Sequence, residues 1–182
     1  MRNRTTTPAG LLLLGLVGAL LAPTQASAQT WTKHDPHDPG RYVHDISRIK
    51  VSHGPRNVWV RTMFFPRVKW VNITSVFIDT RPGNPGPEFH IYWNDMWPHG
   101  QIISRIGRWH GPAWHERTCP RANSRVVDGD VLMKIPRRCL RIGGARPARI
   151  RVSVNAYDEQ FPRRTEDWAP RKQRFGRFVR SS

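Results

Sequence analysis

Apolar and polar residues alternate along several short stretches of the chain, the pattern of strands that are buried on one face. The clearest stretch is 148–157, in which every second residue from Ile150 to Ala156 is apolar and the residues between them are polar. This alternation predicts a strand with one buried and one wet face, and it places Arg149 and Arg151 on the wet face.

The region 49–64 reads as a hairpin. Ile49, Val51 and His53 alternate with polar residues, and the Gly-Pro-Arg-Asn sequence at 54–57 is typical of a turn. The second strand directs Val58, Val60 and Phe64 to one face, and Trp59, Arg61 and Met63 to the other.

Further strands are predicted at 71–80, 88–93 and 102–109, and in a hairpin whose turn is the Asp-Gly pair at 128–129. No window of 12 residues has a 3.6-residue apolar period. About eight short strands with frequent turns indicate an all-β fold, an antiparallel β-sandwich of immunoglobulin-like or jelly-roll-like type.

The N-terminus has the features of a secretory signal peptide over residues 1–28. Arg2 and Arg4 precede an apolar run at 11–22, and Ala26-Ser27-Ala28 is an A-x-A cleavage site. The run is shorter than the roughly 20 residues of a membrane-spanning helix. We therefore expect a secreted protein with no transmembrane segment after signal removal.

The remaining chain is predicted to form one domain. Residues 29–44 repeat His-Asp-Pro and are expected to be an extended lead-in, because proline disfavours helix at the preceding residue. Residues 45–182 are expected to form a single, monomeric sandwich. It includes a basic C-terminal tail from about 161 that Trp168, Phe175 and Phe178 would anchor.

The chain has two cysteines, Cys119 and Cys139. An exported protein meets an oxidising environment, so a disulfide between them is the simplest pairing. Neither lies in a C-x-x-C motif, which argues against a redox role.

The charge is strongly positive, with 30 Lys+Arg against 13 Asp+Glu and a net charge of +17. From Arg137 to the end, twelve Arg and one Lys face four acids, a net +9. Such a field attracts polyanions. For an exported protein we expect an acidic cell-wall polymer, and no physiological nucleic acid. Solvation of a surface that is rich in arginine is the alternative.

Five short motifs resemble a known group: Asp45-Ile46, Phe77-Ile78-Asp79-Thr80, Gly86-Pro87-Glu88-Phe89-His90-Ile91, Ile135-Pro136-Arg137-Arg138-Cys139-Leu140 and Asp167-Trp168-Ala169-Pro170. In this order they are similar to small, uncharacterised exported proteins of high-GC Gram-positive bacteria. The pattern is also distantly similar to DOMON-like carbohydrate- or cofactor-binding modules. The resemblance implies a β-sandwich and carries over no functional residue.

The lead-in offers a candidate metal site in His34, Asp35, His37 and Asp38. Zinc would accept two His and a carboxylate, whereas calcium would prefer Asp35, Asp38 and also Asp45. A solvated segment is the alternative. A second His-rich set comprises His99, His110, His115 and Glu116.

Four tryptophans lie within a short stretch, and flat indole rings can stack on sugar rings. Trp93 and Trp109 are predicted to lie in the core, because they fall on strands. Trp97 and Trp114 are predicted to be exposed and to bind ligand, together with Arg149 and Arg151.

Asp79 and Glu88 would approach each other across a hairpin, as a hydrolytic carboxylate pair does. We favour instead a role as charge partners of arginines such as Arg61. The sequence therefore predicts an exported, non-catalytic binding or structural protein at the cell surface, which contacts an anionic or carbohydrate wall polymer through a basic, Trp-containing face. The alternative is a metal-binding protein or metal-dependent hydrolase that uses the His-rich loops.

Overall fold

A computed structural model describes residues 28–38, 44–65, 73–83, 86–94, 101–106, 115–116, 118–158 and 166–181. Two antiparallel sheets pack face to face, as the alternation predicted. The first sheet has the strand order β1-β2-β3-β9-β8. Its strands are β1 (Gln29–His34), β2 (Asp45–His53), β3 (Asn57–Phe65), β8 (Asn123–Val127) and β9 (Asp130–Pro136).

The second sheet has the order β11-β10-β4-β5-β6-β7, and β12 also pairs with β10. Its strands are β4 (Ile73–Asp79), β5 (Phe89–Asn94), β6 (Gln101–Ile106), β7 (His115–Glu116), β10 (Arg149–Tyr157), β11 (Asp167–Ala169) and β12 (Val179–Arg180). A 3-10 turn, Arg137–Leu140, follows β9. In the described part of the chain no helix is long and apolar enough to cross a membrane.

The core lies between the two sheets and follows the predicted alternation. In β3, Val58, Val60 and Phe64 are buried, whereas Trp59 is partly exposed on the opposite face. Trp93 is also buried, at 4% exposure, which confirms its predicted place in the core. The inner faces of both sheets thus form one continuous apolar cluster.

The lead-in and the C-terminal segment pack together at one side of the sandwich. The lead-in was predicted to be an extended segment that precedes the sandwich, but over Gln29–His34 it is an edge strand that pairs with residues 48–53 of β2. Its one buried residue, Trp31, enters the core cluster. The C-terminal segment packs beside it, and Gly176 donates a backbone hydrogen bond to Val152. The lead-in is therefore an integral part of the first sheet.

The outer face of the second sheet is covered at β4 and β10. Every residue of β4 is buried, because aromatic rings and ion pairs lie over its outer side. The Phe77 ring stacks on Trp168 at 5.3 Å between ring centroids. The Arg151 guanidinium lies over Phe175 and Phe178, at 5.1 and 4.9 Å from the ring centroids. These contacts confirm that the aromatic residues anchor the C-terminal tail.

Cys119 and Cys139 form the predicted disulfide, with their Cα atoms 5.4 Å apart. It joins the turn before β8 to the 3-10 turn after β9. Both ends of the bond therefore lie at the same end of the first sheet. The described outer face of that sheet is left open to solvent at alternate positions of β2 and β3.

Candidate anion-binding site

A cleft of about 360 Å³ lies at the end of the first sheet where β3 begins and β9 ends. Its position follows from the topology, because three turns and the 3-10 turn meet there. We call it the basic cleft. It is lined by Arg56, Asn57, Arg121, Lys134, Pro136, Arg138 and Arg146.

The buried Arg137 holds two of the turns that form the cleft. Its Nη1 donates to the carbonyl oxygen of Pro55 at 3.0 Å, and its Nη2 to that of Pro147 at 2.7 Å. Its backbone N–H donates to the carbonyl oxygen of Arg56 at 2.9 Å. These bonds fix the backbone next to Arg56 and Arg146, whose exposed side chains line the cleft.

The disulfide positions the opposite wall. Arg121 lies in the turn that follows Cys119 and has a φ of 66°, a conformation that non-glycine residues seldom adopt. Arg138 is next to Cys139, and its Nη2 donates to the carbonyl oxygen of Pro120 at 3.0 Å. The covalent bond and this hydrogen bond hold both arginines on the same side of the cleft.

The potential of the basic cleft is strongly positive. Four arginines and Lys134 line it, and none of the described lining residues is acidic. Burial, and then the charge of Arg146, lower the pKa of Arg137 from its ordinary value. A bound anion would relieve this repulsion among like charges.

Several carboxylates are already paired elsewhere in the described structure. Asp130 accepts from Nε of Arg61 at 2.7 Å, and Asp79 accepts from Nε of Arg151 at 2.7 Å. Arg61 therefore pairs with Asp130 rather than with Asp79 or Glu88, its predicted partners. Neither of these carboxylates lines the basic cleft.

Asp79 and Glu88 do lie near each other, and both are engaged in hydrogen bonds. Burial raises the pKa of Asp79, although hydrogen bonds from Arg81 and Arg151 oppose the shift. The Glu88 carboxylate accepts from the backbone N–H of Thr80 at 2.7 Å. Both carboxylates thus accept from backbone N–H groups at the β4–β5 turn, and Asp79 also accepts from Arg151 of β10.

The two predicted ligand residues that the structure describes, Arg149 and Arg151, do not line the basic cleft. Arg149 is exposed and lies over the Phe178 ring, at 5.0 Å from the centroid. Arg151 is neutralised by the Asp79 ion pair. Trp97, Trp109 and Trp114 fall outside the described residues.

Of the predicted metal ligands, Asp35 and Asp38 line a groove of about 520 Å³, together with two more carboxylates and the cationic side chains of Lys33, Arg171 and Lys172. His37 lies outside its lining and is hydrogen-bonded to the Asp45 carboxylate, whereas His34 is exposed on β1. Among the described residues no three His, Cys, Asp or Glu side chains are grouped so that they could hold a metal ion. Of the second His-rich set, His115 is described and exposed, and His99 and His110 lie outside the described residues.

The surroundings of Asp35 predict that the free energy of unfolding depends on pH. Burial, with Asp167 and Asp38 nearby, raises the pKa of Asp35 from 3.8 to about 7. Between about pH 4 and 7 the Asp35 carboxyl therefore holds a proton in the folded protein that it releases in the unfolded chain. The contribution of Asp35 to the free energy of unfolding is lost as pH rises through this range.

Replacing Asp35 by Asn should remove this loss. We expect D35N to raise the free energy of unfolding at pH 8 by about 1 kcal/mol, after allowance for solvent screening, and to have little effect at pH 4.5. Urea unfolding at the two pH values measures the difference. The exposed Asp128→Asn is the control and should show no such contrast. An equal effect of D35N at both pH values would contradict the assignment.

Arg138 and Arg146 belong to the basic region from Arg137 that the sequence indicated. The other residues of the basic cleft were not predicted, because they are spread between positions 56 and 136. One usable signal was the alternation in β3, which turns Trp59 to the outside, opposite Lys134 in the register. No family model, curated protein or solved structure matches the chain.

Proposed function

We propose that this chain is an exported, non-catalytic binding or structural protein at the cell surface, and that it holds an acidic wall polymer in the basic cleft. The observation that carries the proposal is the convergence of five cationic side chains on one cleft whose described lining has no carboxylate. Arginine suits this role, because its planar guanidinium binds phosphate or carboxylate through two parallel hydrogen bonds.

The fixed backbone of the cleft also supports binding. Arg137 and the disulfide restrain the turns, so the backbone that carries the cationic side chains would need little further ordering when an anion binds. The side chains of Arg56, Arg121 and Arg146 are exposed and have no ion pair in the described structure. They are therefore available to a ligand.

Export is part of the same proposal. The signal-peptide features at 1–28 direct the chain out of the cell, and a disulfide is favoured in an oxidising compartment. Outside the cell, an acidic wall polymer is the polyanion nearest at hand. Its repeated charges would suit a cleft of several arginines better than a single small anion would.

The test is co-sedimentation of mature protein with purified cell wall, intact or stripped of its acidic polymers, across a salt series. We compare the cleft variant R56Q/R121Q/R146Q with R171Q/R174Q/R177Q, which removes the same charge from the exposed C-terminal segment. The cleft variant should bind intact wall at least about tenfold more weakly, because three direct contacts are lost.

The control variant should bind within about twofold of the unmodified protein, because screening weakens its distant charges. Binding should also fall with rising salt and disappear when the wall is stripped. Equal losses in both variants would mean that net charge alone drives binding, and would contradict the role of the cleft. Binding to stripped wall would contradict the choice of ligand.

A further inference from the structure

A second groove lies on the open outer face of the first sheet and is centred on Trp59. Strand register places Ser52 beside Trp59, and Thr30 beside Ser52. Because these neighbours are small, one side of the partly exposed indole is left free of bulky side chains. The groove has a volume of about 410 Å³, within the range of ligand pockets. We call it the Trp59 groove; it is lined by Thr30, Lys50, Ser52, Trp59, Arg61, Arg125 and Leu132.

The Trp59 groove is also positively charged. Lys50 and Arg125 are exposed and have no ion-pair partner within the described ranges. Arg61 pairs with Asp130, and none of the described lining residues is acidic. An occupant of this groove would therefore need an apolar ring face for the indole and negative charge for the cations at its edges.

Lys134 connects the Trp59 groove to the basic cleft. It lines the cleft, and in the sheet register it lies directly opposite Trp59. Its ammonium lies 5.5 Å from the centroid of the Trp59 ring, a distance at which cation and ring attract each other. A single extended ligand that passes over Lys134 could thus contact both sites.

We propose that the Trp59 groove is a second subsite, which binds a sugar ring of an anionic glycan whose charged groups enter the basic cleft. This inference rests on the proposed function and narrows its ligand from acidic wall polymers in general to those that contain sugar rings. The indole offers a wide apolar face to the C–H face of a pyranose. Lys50 and Arg125 supply cations for its carboxylate or phosphate substituents.

Three polymers of different chemistry test the subsite. Polygalacturonate has sugar rings with carboxylates, polyphosphate has charge without rings, and poly(dT) has phosphates with flat bases. Isothermal titration at one salt concentration compares Trp59→Ala with Trp59→Phe, which keeps a flat ring. Far-UV circular dichroism and the melting temperature confirm that both variants are folded.

We expect W59A to weaken polygalacturonate binding about tenfold and polyphosphate binding less than about twofold, whereas W59F keeps most of the affinity. Equal losses on the two polymers, or no loss on either, would overturn the subsite. So would binding of polyphosphate without polygalacturonate. A larger loss on poly(dT) than on polygalacturonate would assign the stacking to bases and overturn the glycan.

The same titrations separate this inference from the proposed function. If R56Q/R121Q/R146Q weakens binding of every polymer and W59A changes none, the basic cleft stands and the Trp59 subsite falls. If the unmodified protein binds none of the three, both fall. Loss of polygalacturonate binding in both variants, with polyphosphate binding lost in the cleft variant alone, supports both.

Discussion

Replacing Arg137 by Met should lower the free energy of unfolding by about 3 kcal/mol, because three hydrogen bonds from a buried guanidinium are lost and its partly buried acceptors are left without this donor. The Arg137 guanidinium bonds the carbonyl oxygens of Pro55 and Pro147 and the hydroxyl oxygen of Ser181. Three separate segments thus depend on one side chain that is 9% exposed. Urea denaturation followed by circular dichroism measures the loss.

The adjacent Arg138 is a matched control for stability. It is exposed and makes one hydrogen bond, to the carbonyl oxygen of Pro120, so Arg138→Met should cost less than about 1 kcal/mol. Arg137→Lys should fall between the two, because one ammonium cannot replace the planar guanidinium fork. Equal stability losses for R137M and R138M would contradict the role of Arg137 as the link between these segments.

Adding a methyl group at Gly176 should also cost about 3 kcal/mol, at the upper end for overpacking a well-filled core. A Cβ atom at this position would lie 1.9 Å from the nearest carbon of the Trp31 indole. The indole is buried in the core cluster, so it cannot move aside without opening a cavity. Chemical denaturation of Gly176→Ala measures the effect.

Gly83→Ala is the control for this substitution, because nothing lies within 4 Å of its added Cβ. We expect G83A to change stability by less than about 0.5 kcal/mol. Equal stability of G176A and the unmodified protein would contradict the close packing of Trp31 in β1 against Gly176. Gly176→Ala tests this packing without altering the charge of the protein.

The sequence predicted the strands that have one buried face and failed for those defined by distant pairing. In β10 the four apolar residues from Ile150 to Ala156 lie in the core, as the alternation predicted. The prediction of a wet opposite face was wrong beyond Arg151, because Ser153 and Asn155 are buried there. The lead-in strand has Trp31 as its one buried residue, so no alternation marks it. β7, β11 and β12 are two or three residues long, too short for any periodic signal.

The candidate site was predictable in its chemistry but not in its location. Net charge indicated an anionic partner, and the many arginines after residue 136 indicated the C-terminal region as its binding site. In that region Arg137 is buried and hydrogen-bonded, and the charge of Arg151 is neutralised by Asp79. The cleft takes Arg138 and Arg146 from that region. It combines them with turns from earlier in the chain that the sheet topology brings close, a relation that linear spacing cannot show.

The most direct test of the basic cleft is an NMR titration of ¹⁵N-labelled mature protein with short-chain polyphosphate at physiological salt. We predict the largest amide shifts at Arg56, Arg121, Arg138 and Arg146, with saturation at one binding event. In R56Q/R121Q/R146Q the remaining shifts should be small and should not saturate. Largest shifts in residues 166–181, or small shifts spread over all exposed arginines, would contradict binding at the basic cleft.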